Sequence, residues 1–309
     1  MIDKVYSIEF INFRVLKKIK SGIDVIKKLS KVPTTNSRQL TPRTIRTFQA
    51  TINNYYQKNG RSFLWRTHIT PYRITVSEIM LQQTQTERVV KKFSEFIKLF
   101  PNFVSLARAS TRDVLIAWQG LGYNRRALAL HRLAQIVIDE YKGRLPQNQD
   151  ILKTLPGIGS NTAGSIVAFA FNQPTVFLET NIRSVFIHYF FPNSNKVTDE
   201  EIIPLIEQTL DIHSPRTWYY GLMDYGVYLK KTYSNPSRRS SHHSKQSRFK
   251  GSNRELRGMI IHFLAQSSYS LLQLTKMIDH DKVQIQTALN HLEQEGFITH
   301  KRGIYSLPA

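Results

Sequence analysis

The stretch LPGIGSNTAGSI, residues 155–166, decides the fold. Two glycines one residue apart, Gly157 and Gly159, stand between an apolar run and a small-residue segment with helical character. Pro156 ends the preceding helix, both glycines permit positive φ, and Ser160 and Thr162 are suited to capping the helix that follows. The expected product is a helix, a tight hairpin and a second helix, with a row of backbone N–H groups at the N-terminus of the second. That arrangement binds an anionic oxygen without a charged side chain. The stretch lacks the Gly-x-Gly-x-x-Gly spacing after a strand and lacks a Walker lysine. A nucleotide-cofactor cradle is therefore disfavoured, and a grip on a nucleic-acid phosphate fits better.

The bulk charge agrees. Of 309 residues, 43 are Lys or Arg and 22 are Asp or Glu, a formal charge of +21. Such an excess favours polyanionic partners. It is spread along the chain rather than gathered on one amphipathic helix, and no apolar run is long enough to span a bilayer, so a membrane partner is not expected. The chain has no cysteine, which excludes disulfides, thiolate catalysis and cysteine-ligated clusters. The opening MIDKVYSIEFINFRVLKKIK is basic and apolar without a small-residue cleavage site, so residues 1–40 are expected to be a disordered or loosely helical arm rather than a secretion signal.

From residue 41 to 231 the pattern predicts an all-α core. Val89, Phe93, Phe96, Ile97 and Phe100 share a stripe at helical spacing, and Pro101 stops that helix. Thr111, Val114, Leu115 and Trp118 mark another helix, broken by Gly120 to Gly122. A third runs from Arg125 to Tyr141 and buries Leu128, Leu130, Leu133 and Ile136 or Val137. Residues 232–252 are rich in Ser, Arg, Lys and His and are expected to be a linker or exposed loop, a solvated tether or a basic strap on phosphates. Residues 253–309 read as a separate small domain with the order helix, turn, helix and two short strands, like a winged helix. Its candidate recognition helix, VQIQTALNHLEQEG, carries two glutamates and no Lys or Arg, so DNA reading and protein contact both stay open.

Several motifs outside the hairpin carry a resemblance. WRTHITPYRITVSEIMLQQTQTERV resembles the N-terminal motif of the adenine DNA glycosylases of the MutY family. GLGYNRRALALHRLAQIV, LPGIGSNTAGSI, FLETNIRSV and LMDYGVYL follow in that family's order, and the resemblance covers roughly residues 48–230. It implies the two-lobed helix-hairpin-helix glycosylase fold, with duplex DNA and an extruded base held between the lobes.

Breaking a purine N-glycosidic bond needs a proton for the leaving base and stabilisation for the cationic sugar. By resemblance Glu78 supplies the proton to adenine N7, and its apolar neighbours Val76, Ile79, Met80 and Leu81 are expected to raise its pKa. Glu179 stands where the family has Asp, one methylene longer. It is expected to stabilise the oxocarbenium-like sugar, with Asn181 orienting it. Asn161 occupies the hairpin position at which endonuclease III-type relatives carry a nucleophilic lysine. An amide cannot form a Schiff base, so the expected enzyme is monofunctional.

Tyr123 matches the family's aromatic wedge beside the lesion. Gln82 and Gln83 match residues near the opposing base and the stack. Trp65 and Arg66 match residues lining the adenine pocket, although a Trp is also a common core anchor. Gly157, Gly159, Ser160 and Asn161 form the DNA-gripping hairpin.

Most relatives place four cysteines after LMDYG to hold an iron–sulfur cluster. Here Lys230, Ser237 and a run of Ser, Arg and His stand instead, so no cluster is expected; a monovalent cation at the hairpin is the one metal the resemblance allows. The tail is too short for the oxidised-guanine recognition domain of many relatives, which leaves open the base opposite the adenine. The expectation is a monomeric, cytoplasmic, nucleoid-associated glycosylase. The alternatives are a glycosylase for another mispaired base and a DNA-binding relative that has lost the chemistry.

Overall fold

The structure, a computed structural model, describes residues 39–243 and 248–308. The arm expected over residues 1–40 lies outside the described residues except for its last two, and so do residues 244–247 of the expected linker. In chain order the helices are α1 (Pro42–Asn59), α2 (Leu64–Thr67), α3 (Pro71–Leu81), α4 (Thr86–Leu99), α5 (Phe103–Arg108), α6 (Thr111–Trp118) and α7 (Arg125–Asp139). There follow α8 (Gln149–Thr154), α9 (Ser160–Phe171), α10 (Thr180–Phe190), α11 (Asp199–Thr209), α12 (Pro215–Thr232) and a 3-10 turn at Pro236–Arg239. The tail holds α13 (Asn253–Gln266), β1 (Tyr269–Ser270), α14 (Leu271–Met277), α15 (Lys282–Gln294), β2 (Thr299–Lys301) and β3 (Ile304–Ser306). Among the described residues the fold is thus mostly helical, with one small sheet. No helix among the described residues is long and apolar enough to cross a membrane.

The chain divides into two compact units, and α9 passes from one to the other after Ile166. In the unit formed by residues 39–62 and 167–243, Phe48 of α1 is the hub. Its ring meets Phe186, Tyr189, Phe190 and Trp218 edge-on at 5.1–5.7 Å, the geometry favoured by aromatic quadrupoles. Asp224, 2 % exposed, is held by the Arg61 backbone N–H and guanidinium at 2.7–2.8 Å.

The expected linker begins as packed structure. α12 continues to Thr232, and Pro236, Ser237 and Ser240 are buried. Arg239 explains this: its guanidinium donates to the carbonyls of Ile187, Phe191, Pro192 and Ser194. It satisfies acceptors left over at and just beyond the end of α10. Val197 then bridges to Ser240 and clamps the turn.

In the other unit, Phe63–Ile166 with residues 248–308, the predicted stripe on α4 is buried at Val89, Phe93 and Phe96, with Phe100 closing it and Ile97 half-buried. Gly120 and Gly122 take φ of +90° and +70° and end α6 as expected. The tail folds as a winged helix, α13–β1–α14–α15–β2–β3, with the antiparallel sheet in the order β1-β3-β2. The tail, expected as a separate small domain, falls in the same compact unit as Phe63–Ile166. Arg112 of α6 donates to the Ala265 carbonyl at 2.9 Å. Glu295 accepts from both Arg125 of α7 and Arg257 of α13 at 2.7 Å. These anchors join residues far apart in sequence, so composition alone did not show them.

Candidate functional site

The hairpin between α8 and α9 spans residues 155–159. Gly157 has φ +79°, and a Cβ there would lie 3.0 Å from the Ala129 Cβ, so both conformation and packing require glycine. Gly159 differs from the expectation. It does not adopt positive φ, its carbonyl accepts from the Ala163 N–H, and a Cβ would meet nothing within 4 Å. Neither conformation nor packing within the chain requires glycine at 159. Gly157, Gly159, Ser160 and Asn161 are all exposed at the N-terminal end of α9. Ser160 is the first residue of the helix rather than the residue before it.

Thr162 is not a cap either. Its hydroxyl accepts from Gln82 Nε2 at 3.1 Å, and the same nitrogen reaches the Gly157 carbonyl at 3.0 Å. Gln82, expected near the opposing base, thus uses its amide N–H groups to brace the hairpin. A cation at the hairpin would have to share carbonyls already engaged: Leu155 accepts from the Ile158 N–H and Gly157 from Gln82.

The brace is supported by a residue that sequence reasoning missed. Arg126 is 9 % exposed, and its guanidinium donates to the carbonyls of Ile79, Met80, Gln82, Leu121 and Gly122 and to the Thr84 hydroxyl. It collects the open C-terminal carbonyls of α3 and the loop before α7 on one charge. Burial pulls its pKa down to about 10, so it stays charged at neutral pH.

Gln83 and Tyr123, at the two ends of this knot, have φ of +53° and +49°. Left-handed backbone is uncommon outside glycine, and it clusters at functional positions. Gln83 is exposed and Tyr123 half-buried. The guanidinium groups of Arg126 and Arg254 both lie over the Tyr123 ring, at 5.5 and 5.2 Å from its centroid.

Glu78 lies on α3, which starts at the Thr70 cap and Pro71. Val76, Ile79 and Met80 around it are fully buried, whereas Glu78 itself is half-buried. Trp65 is 4 % exposed, stacked on Phe63 at 4.7 Å and edge-on to Phe93 at 5.1 Å. Those contacts make it a core residue of its unit. Arg66 is half-buried with its guanidinium over Phe63 at 5.1 Å.

In the other unit Glu179 is the N-cap of α10. Its Oε1 accepts from the backbone N–H groups of Asn181 and Ile182 at 2.8 and 3.0 Å, and Oε2 accepts from Asn181 Nδ2 at 3.1 Å. Asp and Asn are the common carboxyl and amide caps; here the extra methylene of Glu folds the carboxylate back onto its own helix. Asn181 Oδ1 accepts from Lys230 Nζ at 2.8 Å. Burial lowers the Lys230 pKa, and the nearby Glu179 charge opposes that shift. Gly226 makes this contact possible, because a Cβ there would sit 2.3 Å from the Asn181 carbonyl oxygen. The Gly of LMDYG is therefore the place where α12 touches α10. Lys230 follows one helical turn later, a spacing that could have pointed to it.

An iron–sulfur cluster does not fit these residues. The chain has no thiolate to ligate it, and the segment after α12 is held by Arg239 instead. No group of three or more His, Asp or Glu suited to a metal is found among the described residues.

The helix-hairpin-helix formed by α8, residues 155–159 and α9 is the feature that defines the class. Residues 76–208 match the family model of the HhH-GPD superfamily base excision DNA repair proteins. The chain's curated homologues are adenine DNA glycosylases. It is 36% identical over 184 residues to that of Buchnera aphidicola subsp. Baizongia pistaciae, covering 59% of this chain and 52% of that protein. It is 41% identical over 132 residues to that of Mycobacterium tuberculosis strain H37Rv, covering 42% and 43%. With the human adenine DNA glycosylase it shares 30% over 193 residues, covering 58% and 35%. The chain thus spans about half the length of the first of these relatives. Among solved structures, a thermostable thymine-DNA glycosylase superposes with TM-score 0.54 at 26% identity, over 59% of this chain and 86% of that one. A trapped endonuclease III–DNA complex superposes with TM-score 0.50 at 20% identity, over 62% and 86%, a likeness of fold.

Proposed function

We propose that this protein is a monofunctional DNA glycosylase that hydrolyses the N-glycosidic bond of adenine mispaired with 8-oxoguanine or guanine in duplex DNA. The observation that carries this reading is the matched segment, residues 76–208, which encloses Glu78, the hairpin, Glu179 and Asn181 together. The adenine glycosylases similar to it supply the substrate class.

Glu78 donates a proton to adenine N7, so the C1′–N9 bond breaks with neutral adenine as leaving group. The positive charge that develops at C1′ is stabilised by the Glu179 carboxylate, held in place by its cap bonds and by Asn181 and Lys230. Water adds its oxygen to C1′ and loses a proton, leaving an abasic sugar. Asn161 offers no amine for a Schiff base, so the strand is not cut by the enzyme.

The exposed hairpin N–H groups take a backbone phosphate, and Gln83 and Tyr123 enter the stack where the base leaves it, offsetting an extrusion cost of a few kcal/mol. Trp65 stacks on Phe63, and the Arg66 guanidinium lies over the same Phe63 ring. The protein acts as a monomer, without an iron–sulfur cluster, in the cytoplasm at the nucleoid.

The test is a single-turnover assay on duplexes with adenine opposite 8-oxoguanine, adenine opposite guanine, and thymine opposite guanine, with chromatographic identification of the released base. Free adenine without strand cleavage is the expected result. Release of thymine alone, tight binding without release, or rapid β-elimination would each overturn the reading.

A further inference from the structure

Tyr123 is gripped by a residue from the far end of the chain. Arg254, in the first turn of α13, lies over its ring at 5.2 Å and donates from Nη1 to its hydroxyl. Arg254 and Tyr123 are 131 residues apart in sequence and belong to one compact unit. α13 is fixed by other contacts: Arg257 pairs with Glu295, and His262 meets Gln119 at 3.2 Å. Ser252 caps it by accepting from the Glu255 N–H. Arg254 thus projects from an anchored element onto a side chain whose own backbone is strained.

We propose that the winged-helix tail supplies a positioning residue, Arg254, that holds the Tyr123 ring ready for insertion before DNA arrives. The inference rests on the reading of Tyr123 as the wedge. A residue at φ +49° sits in a small, costly well. Without Arg254 the ring loses one of the two guanidinium groups that lie over it, and the ordering it then needs at the moment of binding is subtracted from the energy available to unstack a base. A guanidinium suits the task because it stacks on the ring and donates to the phenol at once. The tail then acts on the DNA through Tyr123, even though its candidate recognition helix has few cations.

The test is a double-mutant cycle in the full-length chain. A duplex carries 2-aminopurine next to the adenine mispair, and its fluorescence reports unstacking; affinity is measured on the same duplex. Arg254→Leu is expected to lower the unstacked fraction about tenfold, the size of one lost charge-assisted hydrogen bond. In a Tyr123→Ala background the same substitution is expected to change nothing further. Tyr123→Phe, which removes only the hydroxyl, should lie between wild type and Arg254→Leu, and it serves if Arg254→Leu fails to fold by circular dichroism.

An Arg254→Leu effect of equal size in the Tyr123→Ala background would overturn the proposal in favour of a direct phosphate contact. Absence of any effect of Arg254→Leu, with Tyr123→Ala still reducing unstacking, would overturn it and leave the wedge reading intact. If Tyr123→Ala itself leaves unstacking unchanged, the wedge reading fails and the proposal with it.

Discussion

Lys230 Nζ donates to Asn181 Oδ1 at 2.8 Å, and Asn181 in turn donates to the Glu179 carboxylate through both its backbone N–H and its side-chain amide. A cation on α12 therefore fixes which way the Asn181 amide faces, and the amide fixes the carboxylate.

Lys230→Met breaks the first link without touching Glu179. The expected outcome is a fall of about tenfold in single-turnover base release, because a misoriented carboxylate loses transition-state stabilisation. Affinity for the duplex should change less than threefold, a small step on the roughly tenfold per 1.4 kcal/mol scale. Glu179→Asp should keep or improve the rate, since Asp is the better cap. Glu179→Ala should lower stability by about 1 kcal/mol through loss of the cap and should also abolish release. Thermal melting and rate read the two effects apart.

The two hairpin glycines are expected to part company. Gly157→Ala strains a φ of +79° and crowds Ala129, so it should lower stability by about 1 kcal/mol. Gly159→Ala has open space and should leave the melting temperature unchanged. It should nevertheless weaken DNA binding about tenfold, as expected where a Cβ blocks close approach of a phosphate. Salt titration of affinity should show a shallower slope for Gly159→Ala, because one phosphate contact fewer releases fewer counterions.

Acid should loosen the tail through Glu295. Its pairing with Arg125 and Arg257 holds the carboxyl down at about 2. A depressed carboxyl pKa contributes stability that is present above the ordinary carboxyl range and is lost as pH falls through the folded value. Between about pH 4.5 and pH 2 the wild-type tail should therefore lose near-ultraviolet circular dichroism more steeply than Glu295→Gln. Equal slopes in the two proteins would contradict the role given to Glu295.

Much of this was legible in the sequence, for identifiable reasons. The α4 stripe announces itself because Val89, Phe93 and Phe96 recur at helical spacing. The glycine pair marks a hairpin, but Gly159 does not use the positive φ open to it, because the helix already recruits its carbonyl, and Ser160 and Thr162 do not cap the helix as expected. Arg126 was not legible. A charged residue opening a helix reads as solvated, and its burial follows from carbonyls delivered by α3 and the loop before α7. The same holds for Arg239, which turns a Ser- and Arg-rich stretch into packed structure by finding the end of α10. The tail's attachment was hidden too, because its anchors pair Arg112 with Ala265 and Arg125 with Glu295 across more than 150 residues.

In the proposed reaction Glu78 is the proton donor, and replacing its carboxyl by an amide tests that most directly. Single-turnover adenine release and duplex affinity are measured side by side for wild type and Glu78→Gln, on adenine opposite 8-oxoguanine. The expected result is loss of release by at least about a thousandfold, within the range for removing a general acid, with affinity held within about threefold. Release by Glu78→Gln at the wild-type rate, or loss of binding in step with loss of release, would contradict the assignment of Glu78 as the proton donor.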